Sequence, residues 1–336
     1  MLKVDSLHKE LASFRLEDVS LDVPQGDYFV ILGHSGSGKS LLLEIIAGLR
    51  KHDSGLIYLK GKEIGKVATG KRNIGLMFQG NSLFPHKTVR SNIAFPVKQL
   101  PAEKRQKTVV SLAKTCGIEH RLDHYPAQLS GGEIQRTILA RTLAMNPGVL
   151  LLDEPLRSLD ATIKSRMESL LRKLNREGQT IIHVTHDYRE AMALAKHVAV
   201  IQQGKIIQQG SAEDVFHHPA NEFIARFTGT VNYFEITNPE HDSKIRFDKE
   251  IAIPIPEKYR FKNRLKIIIP PDAVFVSKTN HSKFKIIDMF KCPAKERLVV
   301  QINELSLIVD YEGIDVRLKV GESVNVRIIE KEIKYV

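Results

Sequence analysis

Gly33-His34-Ser35-Gly36-Ser37-Gly38-Lys39-Ser40 spells the pattern GxxxxGK[ST]. Glycines at this spacing let successive backbone N–H groups converge on phosphate oxygens. The lysine neutralises the β and γ phosphates, and the hydroxyl of Ser40 can bind Mg²⁺. The chemistry is that of a nucleoside polyphosphate site. A second cluster lies far along the chain, where the apolar run Val149 to Leu152 ends in Asp153-Glu154-Pro155. Two carboxylates at the tip of a buried strand suit phosphoryl transfer: Asp153 can hold Mg²⁺ through water, and Glu154 can polarise or deprotonate an attacking water. A third segment, Leu129-Ser130-Gly131-Gly132-Glu133, admits two readings. It is a second helix N-terminus open to phosphate, or a capping box with Ser130 as N-cap and Glu133 three residues on.

Such residues need strands and helices behind them. Val19 to Val23 alternates apolar and polar residues like a half-buried strand, Pro24 to Asp27 is a turn, and Tyr28 to Leu32 is a continuous apolar run suited to a buried strand. The glycine loop follows at once, then LLLEIIAGL, a short apolar helix stopped by Gly48. Strand, loop and helix in succession mark the parallel α/β class. Residues 89–129 turn helical and charged, which predicts an all-α insertion. The runs VLLLDEP and TIIHVTH resume the sheet, each after a helical segment (Gly132 to Met145, Ala161 to Glu177), and HVAVIQQGKIIQQG reads as a hairpin around Gly204. Beyond Thr230 the texture changes to short Ile-, Val- and Lys-rich runs spaced by Pro, Gly, Asp or Asn, the pattern of a small all-β barrel or sandwich.

Composition narrows the classes. With 336 residues, 42% hydrophobic and 26% charged, the chain suits roughly two domains of about 150 residues. No run approaches the roughly 18 apolar residues that span a bilayer, and the first residues carry no apolar signal segment, so a soluble, unexported chain is expected. Cys116 and Cys292 stand far apart, without metal-ligand spacing, and read as reduced thiols. The net charge of +11, about +3 of it in residues 231–336, forms no polybasic arm. Absence of Trp and only 7% aromatics leave few stacking platforms for single-stranded nucleic acid, so no nucleic-acid partner is expected.

Taken together, the glycine loop, LSGGE, LLLDEP and the later Thr185-His186-Asp187 resemble the nucleotide-binding subunit of ATP-binding-cassette transporters over about residues 1–230. The resemblance implies an α/β P-loop nucleotide-binding domain, residues 1–230, with a parallel sheet core, an antiparallel β part and a helical insertion at about 85–145. A C-terminal all-β barrel-like domain occupies 231–336. It implies an ATPase using ATP and Mg²⁺ in which two copies pack head to tail, each ATP lying between the P-loop of one and Ser130, Gly131 and Gly132 of the other. By the same resemblance, Gln79 senses Mg²⁺ and water, Ser158-Leu159-Asp160 forms the loop crossing the dimer interface, and His186 contacts the γ-phosphate. Catalytic roles then fall to Glu154, His186 and Gln79, metal binding to Ser40, Gln79 and Asp153, and nucleotide contacts to Gly33–Ser40, Ser130–Gly132 and Asp160.

Further expectations follow from that resemblance. The family's aromatic for stacking on adenine is missing from Glu10 to Ser13, leaving Phe14 or Tyr28 to substitute; His34 replaces a common proline, and Arg157 a small residue. Integral-membrane permease subunits, met at the cytoplasmic face of a prokaryotic membrane, would dock near Asn81 to Phe95, with Leu83, Phe84 and Phe95 giving apolar contact. The chain is similar to importer ATPases with an oligonucleotide-binding-like tail. Its motifs stand nearest the molybdate and tungstate group, and sulfate, ferric-iron, polyamine and sugar importers share most of them. A nontransport cassette ATPase acting on nucleic acid is the remote alternative. In the oxyanion group the tail would bind the anion and arrest the dimer; Ser277, Lys278 and Lys283 are donors there without an assigned role, and a ligand-free dimerisation barrel is the other reading.

Overall fold

The computed structural model describes residues 1–78, 83–157, 159–227, 232–237, 242–248, 251–278, 282–292, 295–311 and 318–335. Gln79, Asn81 and Ser158 therefore lie outside the described residues. The chain divides into two compact units, Met1–Ala212 and Glu213–Val336.

In the first unit, β1 (Leu2–Leu11) and β2 (Phe14–Val23) pair antiparallel and continue through β4 (Ser54–Leu59) to β5 (Lys62–Glu63), in the order β2-β1-β4-β5. A second sheet combines β3 (Tyr28–Leu32), β6 (Ile74–Met77), β7 (Val149–Asp153), β8 (Thr180–Thr185), β9 (His197–Gln202) and β10 (Lys205–Ser211), ordered β10-β9-β3-β8-β7-β6. All its pairings are parallel except the hairpin β9–β10. Strands β3, β7 and β8 are buried at every position, which explains why they read as unbroken apolar runs rather than alternation.

Helix α1 (Lys39–Ala47) shares one core with both sheets. Its Leu42, Leu43, Ile45, Ile46 and Ala47 pack with Leu2, Val4, Leu21 and Ile57 of the antiparallel sheet and with Phe29, Ile31, Leu151 and Ile182 of the parallel one. Burial on several sides accounts for its apolar density. Gly48, at φ +84°, stops it with its N–H on Glu44 O and Ile45 O. Arg72 covers the same helix end: buried, it donates to Ile45 O and Ile46 O at 2.9 Å each, to Val67 O at 2.8 Å and to Gly65 O at 2.7 Å.

The expected helical stretch contains α2 (Val89–Ala94), α3 (Ala102–Thr115) and α4 (Gly131–Leu143). Fully buried Asn92 pins the preceding segment through Phe84 N, Phe84 O and Lys87 O. Helices α5 (Ala161–Arg176) and α6 (Tyr188–Leu194) link the later strands.

The second unit includes α8 (Glu222–Phe227) and three antiparallel sheets, preceded by α7 (Ala212–His217) at the division. The first sheet joins β11 (Asn232–Thr237), β14 (Arg264–Ile269) and β20 (Lys334–Tyr335), and the second pairs β12 (Lys244–Arg246) with β13 (Ala252–Pro254), followed by the short helix α9 (Glu257–Arg260). The largest has the order β15 (Val274–Ser277), β19 (Ser323–Ile328), β16 (Phe284–Cys292), β17 (Lys295–Ile302), β18 (Leu305–Tyr311). Apolar residues from all three sheets, among them Ile253, Ile267, Val300 and Val324, form one core. The edge of β18 is covered by Asn232, whose side-chain amide takes the N–H and donates to the C=O of Ile308 at 2.6 and 2.7 Å, as a neighbouring strand would.

Candidate functional site

Residues 33–38 connect β3 to α1, whose first residues are Lys39 and Ser40, at the carboxyl end of the parallel sheet, where α/β sheets bind ligands. The motif's glycines have local causes. A Cβ on Gly33 would lie 2.4 Å from Ile201 O, and one on Gly38, at φ +104°, would strike Leu16 and Phe14 at 2.7 and 2.8 Å. Lys39 is buried and donates from Nζ to Gly33 O at 2.7 Å and His34 O at 2.8 Å, so the loop is drawn around its ammonium. Burial lowers the Lys39 pKa from its usual value, while Glu154 and Asp153 oppose that shift. Ser37 Oγ is buried without a hydrogen-bond partner inside this loop, a polar atom that a phosphate oxygen can satisfy.

Asp153 ends β7 and accepts a hydrogen bond from Ser40 Oγ at 2.9 Å on Oδ1. The sheet therefore brings together two of the three residues named for Mg²⁺, which lie 113 positions apart in the sequence. A carboxylate and a hydroxyl, both hard oxygen donors, fit a cation that completes its shell with phosphate and water; among the described residues no group of three or more His, Cys, Asp or Glu is placed to hold a metal. Burial raises the Asp153 pKa, with Glu154 adding to the effect.

Glu154 follows at φ +45°, a left-handed conformation that a non-glycine residue holds only when its surroundings impose it. Its N–H is bound to Val184 O on β8 at 3.0 Å. Oε1 accepts from His186 Nδ1 at 3.0 Å and Oε2 from Arg157 Nη1 at 2.8 Å. Burial alone would raise the carboxyl pKa, but the hydrogen bonds from His186 and Arg157 outweigh it and hold it below the usual value.

His186 is fixed by what flanks it. Thr185 Oγ1 takes the Asp187 N–H at 3.0 Å and donates to Glu190 Oε2 at 2.8 Å. Lys164 on α5 bridges Asp187 and Glu190 at 2.7 Å each. Behind them, fully buried His183 lies between the Tyr28 hydroxyl, at 3.1 Å, and Glu190. Sequence inspection missed this network, whose members lie scattered over four elements; the helical spacing of Asp187 and Glu190 was its only local trace.

At α4 the LSGGE segment forms the capping box that was one of its two readings. Ser130 caps the helix and shares a capping box with Glu133, whose Oε2 takes the Ser130 N–H at 2.8 Å and hydroxyl at 2.9 Å. Arg121 donates to Glu133 Oε1 at 2.7 Å. The two glycines differ: a Cβ on Gly132 would meet Ile163 of α5 at 2.5 Å, whereas one on Gly131 would meet nothing within 4 Å. Gly132 is thus required by helix packing, and Gly131 leaves the N-terminus open. Asp160 caps α5, its Oδ1 accepting the Ile163 N–H at 3.0 Å.

Of the two aromatics named for adenine, Tyr28 is corrected by the structure: it is 1% exposed and points into the core toward His183. Phe14 instead lies against Gly38 of the glycine loop. In the proposed docking segment Leu83 also belongs to the core, at 7% exposure, whereas the Phe84 and Phe95 rings pack tilted at 53° with centroids 4.7 Å apart and Phe95 is 43% exposed. Cys116 is buried, and burial pushes its thiol up to about 12, an unreactive value. In the tail, Lys278 is ion-paired with Glu322 at 2.8 Å, which engages one of the donors considered for an anion.

Comparison with known proteins gives this geometry a family. A family profile described as ABC transporter matches residues 16–157. The molybdate/tungstate import ATP-binding protein WtpC of Pyrococcus abyssi is 36% identical over 313 residues, 91% of each chain, and that of Pyrococcus horikoshii is 43% identical over 238 residues, 70% of this chain and 69% of its own. The sulfate/thiosulfate import ATP-binding protein CysA of Nocardia farcinica is 42% identical over 259 residues, 75% of this chain and 78% of its own. The dimeric post-hydrolysis structure of the ATP-binding cassette MJ0796, bound to ADP and Pi, superposes with a TM-score of 0.58 at 31% identity, covering 63% of this chain and 99% of that one. No helix among the described residues is long and apolar enough to cross a membrane. With a relative matched along nine-tenths of both chains and a solved cassette matched along nearly its whole length, the chain belongs to the ATP-binding subunits of ABC transporters, ATPases whose hydrolysis is coupled to transport.

Proposed function

We propose that this chain drives import of an oxyanion of the molybdate or tungstate kind, working at the cytoplasmic face of a membrane with permease subunits and a second copy of itself. The observation that carries this reading is the reach of the similarity. Alignment with the Pyrococcus abyssi protein takes in 91% of this chain, while the sulfate/thiosulfate relative from Nocardia farcinica takes in 75%. Sulfate import is the second reading, favoured by the comparable identity of those relatives.

In this mechanism Gly33–Ser40 of one copy hold the phosphates of ATP, and Ser130, Gly131 and Gly132 of the other close over them. Phe14 stacks on the base. Ser40 and Asp153, with Gln79 outside the described residues, would hold Mg²⁺, which neutralises phosphate charge when bound. Glu154 accepts a proton from the attacking water as its oxygen bonds to the γ-phosphorus and the bond to the bridging oxygen breaks, releasing ADP and phosphate. His186 orients Glu154 and faces the γ-phosphate, and Asp160 lies on the loop toward the second copy. Residues 231–336 act as a separate domain that binds the oxyanion and restrains the closed dimer when supply is high, which requires different affinities for the two dimer states.

The test is thermal unfolding of the full chain with Mg-ATP and then with molybdate, tungstate, sulfate or phosphate, since a ligand of the folded state raises the melting temperature. A further rise selective for molybdate and tungstate supports the oxyanion reading of the tail. A rise with sulfate alone favours the second reading. No response to any oxyanion removes the regulatory tail and leaves cargo to transport assays with the permease.

A further inference from the structure

Arg157 is a cation that polyphosphate binding does not require at this position. It stands three residues past Glu154; its side chain is 49% exposed, whereas that of Glu154 is 8% exposed. Its Nη1 donates to Glu154 Oε2 at 2.8 Å while His186 Nδ1 donates to Oε1 at 3.0 Å, so each oxygen of the carboxylate is claimed by a different donor. The carboxylate has little freedom of its own. The Glu154 backbone is held at φ +45°, its N–H is bonded to Val184 O, and the His186 loop is anchored through Thr185, Asp187 and Lys164. The long, half-exposed Arg157 side chain is the partner able to move.

We propose that Arg157 is a positioning residue for hydrolysis: in the nucleotide-free chain its guanidinium occupies the Glu154 oxygen that takes the proton of the attacking water, and each turnover requires that oxygen to be released. The inference rests on Glu154 being the group that activates water. A general base must come within about 3 Å of the water it deprotonates, and a guanidinium N–H at 2.8 Å fills one approach to Oε2. His186, on the other oxygen, keeps the carboxylate oriented when Arg157 leaves. Because the glycine loop, not Arg157, grips the phosphates, removing the guanidinium changes kcat and leaves KM for ATP in place.

The experiment uses the full chain with R157S, R157K and E154Q. Steady-state hydrolysis is expected to show kcat of R157S raised about threefold, the scale of releasing a half-exposed ion pair, with KM for ATP unchanged, and R157K returning the rate toward that of the parent. Nitrogen-15 spectra of the nucleotide-free chain are expected to show the His186 imidazole signal shifted in R157S, because His186 then donates to a carboxylate that nothing else holds. An R157S enzyme with parental or lower kcat, or an unmoved His186 signal, overturns the inference. R157Q, similar in length and uncharged, makes the same comparison if R157S does not fold. E154Q separates the two levels: normal hydrolysis by E154Q overturns the role of Glu154 itself, whereas inactive E154Q with an unaltered R157S overturns Arg157 alone.

Discussion

Replacing Glu133 by Gln is expected to weaken the cassette at neutral pH and to matter far less in acid. The Glu133 side chain is 10% exposed and accepts from Arg121 Nε at 2.7 Å, from the Ser130 N–H at 2.8 Å and from the Ser130 hydroxyl at 2.9 Å. Burial pushes its pKa up, but these hydrogen bonds outweigh it and lower the value from 4.5 to about 2. At about 1.4 kcal/mol per unit, this amounts to roughly 3 kcal/mol in favour of the ionised carboxylate in the folded state. A folded pKa below the unfolded one stabilises fully above the unfolded value and is lost as pH falls through the folded one, here between about 4.5 and about 2. Gln keeps an acceptor for the Ser130 N–H and no charge for Arg121, so E133Q should lose about 1–3 kcal/mol at neutral pH. The chain has no Trp, so urea unfolding is best followed by far-ultraviolet circular dichroism. The gap between parent and E133Q should shrink to less than half at pH about 3. A gap equal at both pH values, or none at neutral pH, refutes the reasoning.

Three other changes test the structure at separate points. Arg72→Met leaves the carbonyls of Ile45, Ile46, Gly65 and Val67 without their buried donor; a loss of about 3–5 kcal/mol is expected from urea midpoints, and a loss below about 1 kcal/mol contradicts it. Phe14→Ala should raise the ATP dissociation constant roughly five- to tenfold, the worth of one stacked ring, and, because Phe14 also packs against the buried core, lower the melting temperature of the free chain; unchanged affinity in equilibrium dialysis rejects Phe14 as the base platform. Joint replacement of Phe84 and Phe95 by Ala should abolish transport in a reconstituted complex while sparing ATP hydrolysis by the isolated chain, and collapse of the isolated chain's fold instead assigns the pair to structure.

Much of the architecture can be read from the chain because its cause is local. Strands β3, β7 and β8 announce themselves as apolar runs since both faces of a parallel sheet are covered, and Gly48 and Gly204 mark a helix end and a hairpin through backbone angles, at φ +84° and +78°. The glycine loop is legible for the same reason: Gly33 and Gly38 are positions where a side chain has no room, so the pattern survives as spacing. The tail is legible as regularly spaced strands, but nothing in its composition states how they group into sheets of five, three and two.

Side-chain direction and partnership are another matter. Tyr28 and Phe14 look alike as aromatic substitutes, yet strand β3 turns Tyr28 into the core while the edge of β2 sets Phe14 beside Gly38. Leu83 and Phe95 look alike as apolar contacts, yet the fold buries the first and leaves the second exposed. The sequence determines the phosphate chemistry and the elements that bear it, because motif spacing and hydrophobic period act over a few residues. Arg157 meets Glu154 locally, three residues further along the chain, but only the tertiary structure, through the sheet order that sets β7 and β3 on either side of β8, brings Ser40 to Asp153 and His186 to Glu154. Those contacts depend on which strands become neighbours, a choice made by packing of the whole core rather than by any single stretch of chain.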